Sequence, residues 1–261
     1  MPSFRLHRAA AMLVTAVLLW VPAVSRAQPV DRAALPHVAA RLRDGLPLRI
    51  VAFGSSSTKG VGASSPSRSY PSRLAADLAR ALPHGEVASV ENRGIGGEDA
   101  DDMIRRLPAI IAARPDLVIW QTGSNDPLRH LPLPRFIAET ARGVRMMRAA
   151  GIDVILMEPQ WCRRLRETAG SRAYTLAVRA VAASFGVPVV RRHALMQVWL
   201  ARGLLTPAQM LAPDGLHMTD GGYAMLARVV ARAILGAEPA SAATPRLITA
   251  QVRPGARPVA P

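Results

Sequence analysis

The 261 residues are 50% apolar and 20% charged, enough for one ample globular core, and they carry a formal net charge of +15. Arginine supplies almost all of that charge (Lys59 is the only lysine), but it is scattered and aromatic residues are sparse; without a basic block or stacking rings, nucleic acid is excluded as the expected partner, while an acidic glycan remains compatible. A single cysteine, Cys162, excludes an intramolecular disulfide and a cysteine-built zinc cluster, and it reads as a buried, inert small side chain.

The chain opens with a basic segment, residues 1–8, followed by an apolar run over 9–24 and then Ser25-Arg26-Ala27. Small residues three and one positions before Gln28 predict a signal peptide over 1–27, a mature chain beginning at Gln28, and a secreted or periplasmic protein without a membrane span. The alternative is an uncleaved signal anchor, which also leaves the body outside the cytoplasm. Residues 28–47 form a lead-in with a helix expected over 31–44.

From there to residue 236, strand-like runs at 49–53, 86–91, 117–122, 153–158 and 187–190 alternate with helical patterns at 70–82, 99–113, 134–150, 171–185 and 219–235. Such alternation predicts one domain over 48–236, a three-layer α/β/α sandwich around a mostly parallel five-stranded sheet. Leu117-Val118-Ile119-Trp120 is apolar throughout, as a strand covered on both faces requires. Residues 237–261, rich in Pro, Ala and Arg without periodicity, predict a disordered tail.

The first three strands each end in a polar, glycine-containing turn: Gly54-Ser55-Ser56-Ser57-Thr58, Asn92-Arg93-Gly94-Ile95-Gly96-Gly97-Glu98 and Gly123-Ser124-Asn125-Asp126. In an open parallel sheet these turns share the edge where ligands gather, and Asp214-Gly215-Leu216-His217, ahead of the last helix, can fold over it. A serine is a weak nucleophile that needs a neutral imidazole as base, and a carboxylate behind the imidazole fixes its tautomer. A glycine N–H and an asparagine amide are donors of the kind a tetrahedral oxyanion needs. The first turn alone does not choose among Ser55, Ser56 and Ser57.

These four blocks, in this order, resemble those of the SGNH or GDSL-like serine hydrolases, and the resemblance covers residues 49–235. It implies a flavodoxin-like fold and no metal or organic cofactor. By position it implies Ser56 as nucleophile, His217 as base and Asp214 as its orienter. The oxyanion donors implied are the Ser56 N–H, the Gly97 N–H and the Asn125 amide, with Gly94 and Gly96 as alternatives to Gly97. Ser55 stands where that family has an aspartate. No Gly-x-Ser-x-Gly elbow surrounds Ser56, which argues against the α/β-hydrolase fold.

The function implied is an exported esterase hydrolysing a small-molecule or glycan ester, with O-acetylated glycans and other short acyl esters among the candidates. The other reading is a non-catalytic envelope- or glycan-binding module on the same fold. Trp161, Arg163 and Arg164, after the fourth strand, are candidate substrate-binding residues. Asn92 is expected to tie its turn and Asp126 to act as a cap or turn residue. His130 and His193 lack partners at informative spacing.

Overall fold

The structure, a computed structural model, describes residues 34–82 and 88–236. The expected signal peptide, the tail over 237–261 and the first residues of the lead-in helix and of the second strand lie outside the described residues. Five strands, β1 (Leu48–Gly54), β2 (Ala88–Gly94), β3 (Leu117–Gln121), β4 (Asp153–Met157) and β5 (Val189–Val190), form one sheet of order β2-β1-β3-β4-β5. Every pairing is parallel. Ten α-helices accompany it among the described residues: α1 (Pro36–Arg43), α2 (Ser56–Lys59), α3 (Tyr70–Ala81), α4 (Ala100–Ala112), α5 (Leu133–Ala149), α6 (Arg163–Glu167), α7 (Ser171–Phe185), α8 (Arg192–Ala201), α9 (Pro207–Met210) and α10 (Asp220–Leu235).

The strand period of two divides the core into two layers. Ile50, Ala52, Leu117, Ile119, Ile155 and Met157 face α3, α8 and α10, where Leu74, Leu78, Trp199, Tyr223 and Leu226 complete one cluster. Val51, Phe53, Val118, Trp120, Val154 and Leu156 face α4, α5 and α7, packing on Met103, Leu107, Val144 and Val178. Both β3 and β4 are buried along their whole length, so their near-continuous apolar runs are what burial on two faces demands.

The long helices fall within a residue or two of the expected bounds, and the differences have local causes. Asp99 and Thr219 are caps rather than helical residues. The lead-in helix starts at Pro36, an imino acid suited to the first turn. Strand β2 runs to Gly94, past the expected end at residue 91, because Asn92, Arg93 and Gly94 pair with Ala52, Phe53 and Gly54. It is an edge strand with an exposed face, so polar residues cost it little. Helix α8 was not expected: Arg191 stands at its cap position without a side-chain cap bond, and Arg192 opens it.

In a sheet of this order the strand order reverses between β1 and β3, and the crevice beyond the strand ends opens there. The ends of β1, β2 and β3 border it. Gly94 lets the end of β2 close on α2: a Cβ there would stand 2.1 Å from the Lys59 nitrogen.

Candidate active site

The turn after β1 separates its three serines by burial. Ser55, in extended conformation at the cap of α2, is 1% exposed, and both its N–H and its hydroxyl donate to Gln121 Oε1 at 3.0 Å. Thr58 adds a third bond to the same oxygen at 3.2 Å. Ser57, also 1% exposed, has its Oγ 2.6 Å from Arg192 Nη1, from which it accepts. Only Ser56, the first residue of α2, directs its hydroxyl to the crevice, where Oγ lies 2.9 Å from His217 Nε2.

The histidine is set by its own loop. His217 Nδ1 lies 2.5 Å from Asp214 Oδ2, while the other carboxylate oxygen accepts the Leu216 and His217 N–H groups at 2.9 Å each. Partial burial alone would raise the Asp214 pKa. The bonds from the imidazole and the two backbone amides outweigh it and hold the carboxyl at about 2. An ionised Asp214 accepts Nδ1–H, which leaves the Nε2 lone pair facing the Ser56 hydroxyl.

The other two turns meet beside Ser56. A Cβ at Gly96 would lie 3.9 Å from Ser56 Cβ, and Gly97 turns the chain at φ +81°. Asn125 donates one amide hydrogen to Glu98 O at 2.7 Å, which fixes the amide and leaves its second hydrogen available. Arg129 reaches Gly97 O at 3.2 Å and pairs with Asp99 at 3.0 Å and with Asp102. Asp126 Oδ1 accepts the Ala100 N–H at 2.8 Å, capping α4 from a neighbouring turn. The Gly94 N–H is taken by Asn92 Oδ1 at 3.0 Å, which removes Gly94 from the oxyanion candidates and makes Asn92 the turn tie expected of it. The N–H groups of Ser56, Gly96 and Gly97 have no acceptor among the described residues.

The three residues expected at the substrate rim are differently placed. Trp161 is half-buried, with the Arg166 guanidinium 4.6 Å over its ring, so one face is already covered. Arg163 is exposed and lies against the histidine loop, where a Cβ at Gly215 would come within 3.1 Å of its Nε. Arg164 is exposed as well, and its backbone N–H donates to Gly215 O at 3.1 Å. Cys162 is fully buried and burial raises its pKa, as befits an inert thiol. Gln121 and Arg192, which bind the serine turn from below, and Gln160, which bonds to Arg192, carry no sequence signal that singles them out. No helix among the described residues is long and apolar enough to cross a membrane, and no group of three or more His, Cys, Asp or Glu side chains there could hold a metal ion.

A doubly wound parallel sheet with these four blocks along one edge is the architecture of the SGNH or GDSL-type hydrolases. Within that class, the chain belongs to the Non-GDSL lipase-like family, whose model matches residues 23–238. It is 23% identical over 171 residues to an arylesterase of Vibrio mimicus, covering 64% of this chain and 79% of that one. The lipase/acylhydrolase of Enterococcus faecalis superposes with a TM-score of 0.63 at 25% identity, over 72% of this chain and 96% of that structure. A two-domain esterase active on acetylated mannans superposes with a TM-score of 0.66 at 22% identity, over 90% of this chain. The chain spans 59% of that larger protein.

Proposed function

We propose that the protein is an exported serine esterase that hydrolyses short acyl esters of glycans or small molecules. The observation that carries the reading is the continuous relay from Asp214 through His217 to Ser56, with separations of 2.5 and 2.9 Å. Ser56 Oγ adds to the ester carbonyl carbon while its proton passes to His217 Nε2. The charge that develops on the carbonyl oxygen is met by the Ser56 and Gly97 N–H groups and the free Asn125 amide hydrogen. Donors fixed beforehand stabilise that charge without reorganising. The tetrahedral adduct collapses by breaking the bond to the alcohol, which leaves with the proton held on Nε2. Water then attacks the acyl-enzyme by the same route and releases the acid.

Support for a glycan ester comes from the net positive charge of the sequence and from the fold shared with an esterase active on acetylated mannans. Exposed Arg163, beside the histidine loop, is suited to an anionic group on such a substrate. Export follows from the residue pattern over 1–27, and amino-terminal sequencing of the protein recovered outside the cytoplasm should begin at Gln28. The function itself is tested by a fluorophosphonate probe followed by peptide mapping. Adduct on Ser56 alone is expected; no adduct would favour the binding-module reading, and adduct on Ser55 or Ser57 would overturn the assignment.

A further inference from the structure

Beneath the serine turn lies a buried cation that the proposed chemistry does not use. Arg192, the first residue of α8, is 0% exposed, and no carboxylate pairs with it among the described residues. Its three nitrogens tie two segments together: Nη1 donates to Ser57 Oγ at 2.6 Å in the serine turn, while Nη2 donates to Gln160 Oε1 at 2.8 Å and Nε to Glu158 O at 2.9 Å in the stretch after β4. Burial lowers its pKa to about 10, so it remains a cation at neutral pH. Taking a guanidinium out of water is costly, and an apolar side chain of similar volume fills a core without that cost. The arginine is therefore best understood through what its fork holds in place.

What it holds is a closed ring. Gln160 accepts from Arg192 and from Ser124 Oγ (3.0 Å), and its own amide donates to Leu216 O at 3.1 Å. Leu216 precedes His217, and Ser57 follows Ser56. The path Ser57–Arg192–Gln160–Leu216 thus joins the nucleophile turn to the histidine loop from below, and the Ser56–His217 hydrogen bond joins them from above. A planar guanidinium fixes the angle between its two acceptors, which an ammonium cannot do.

We propose that Arg192 is a positioning residue whose fork, acting through Ser57 and through Gln160 and Leu216, sets the distance between Ser56 Oγ and His217 Nε2. The inference rests on the esterase reading for its consequence in turnover but not for its geometry. Misplacing a reacting pair by an ångström costs on the order of 10²-fold in rate. Arg192→Lys, which keeps the charge and loses the fork, should lower kcat by roughly 10–100-fold with KM within about twofold. Gln160→Glu keeps an acceptor for Arg192, adds a carboxylate beside the buried cation and removes the N–H that donates to Leu216 O. It should fold and show the same kcat loss.

The fluorophosphonate labelling rate of Ser56 and the melting temperature are measured on the same preparations, together with crystal structures of the wild type and the Gln160→Glu protein. Slowed labelling and a Ser56–His217 separation beyond hydrogen-bond reach are expected. A wild-type protein that does not label removes the esterase reading, and the crystallographic separation still decides the role of Arg192. Labelling at the wild-type rate in both variants, or a separation unchanged at 2.9 Å, overturns this inference alone. Should Arg192→Lys fail to fold, Gln160→Glu decides by itself.

Discussion

The turn over residues 54–60 and the loop over residues 212–219 meet at one hydrogen bond and are held by opposite means. Around Ser56, the neighbours Ser55, Ser57 and Thr58 are buried and bonded to side chains from distant strands and helices. Around His217, the fixing bonds come from Asp214, three residues away, whose side chain is 46% exposed. The nucleophile turn therefore takes its geometry from distant strands and helices, whereas the histidine loop is shaped chiefly by its own carboxylate, with the Gln160 amide on Leu216 O as its side-chain tether from outside. Side chains at the buried turn should affect stability first, and side chains at the loop should affect chemistry first.

The largest expected effect falls on the two groups that meet. Ser56→Ala and His217→Ala should each lower ester turnover by about 10⁴-fold or more, with melting temperatures close to wild type. Ser55→Ala should do the reverse, leaving Gln121 Oε1 with fewer donors and lowering stability by roughly 1–3 kcal/mol, with labelling per folded molecule retained. Turnover and melting temperature on the same preparations read both. A His217→Ala protein with full activity would end the proposed mechanism.

Next comes Asp214→Asn, expected to cost ~10²–10⁴-fold in turnover because the imidazole loses the charge that orients and stabilises it. Asparagine keeps an oxygen for the Leu216 and His217 N–H groups, so the loop should persist. Asp214 titrates at about 2, below its unfolded value of ~3.9. Its contribution to stability is therefore present above ~3.9 and is lost as pH falls toward 2. Half exposed, it contributes little, and acid unfolding of the variant should track wild type closely. A large loss of stability at neutral pH would show that the loop depends on the charge after all.

Asn125→Ala tests the third member of the crevice, with an expected loss of ~10²-fold in kcat and little change in KM, since its free hydrogen acts on charge that appears only in the transition state. The bond to Glu98 O is lost too, so a rise in KM of similar size would point instead to a displaced Gly97 turn.

Much of this architecture could be read from the chain because its causes are local. The apolar run of β3 and the capped, periodic patterns of α4, α7 and α10 state their own structure, and the four polar turns stand at strand ends in chain order. What stayed hidden depends on contacts distant in sequence. Three adjacent serines are chemically alike until Gln121 and Arg192 bury two of them. One arginine among many gives no sign that it lies under the crevice, and Trp161 gives none that Arg166 covers its ring. Helix α2 is too short for a periodic signal, and α8 lacks a cap to announce it.

The smallest effect concerns Asp126, which extends the contrast between buried and exposed groups to a second carboxylate. Its side chain is fully buried, Oδ1 caps Ala100, and Oδ2 has no hydrogen-bond partner among the described residues. Burial is the largest influence and raises its pKa to about 6, against the pull of the backbone donors, the reverse of half-exposed Asp214. A carboxyl raised in this way favours the native state most when protonated. Its contribution is complete below the unfolded value of ~3.9 and is lost as pH climbs through about 6, a change on the order of 3 kcal/mol. Asp126→Asn retains an acceptor for the Ala100 N–H and cannot ionise. Its amide hydrogens face the same unpartnered space, a cost independent of pH. The melting temperature of the variant, measured from pH 4 to pH 7.5, should therefore gain several degrees on wild type across that interval, whatever its absolute level. Parallel melting profiles for the two proteins would mean that the Asp126 carboxylate is solvated or paired in solution, and the buried cap would lose its claim to titrate near neutrality.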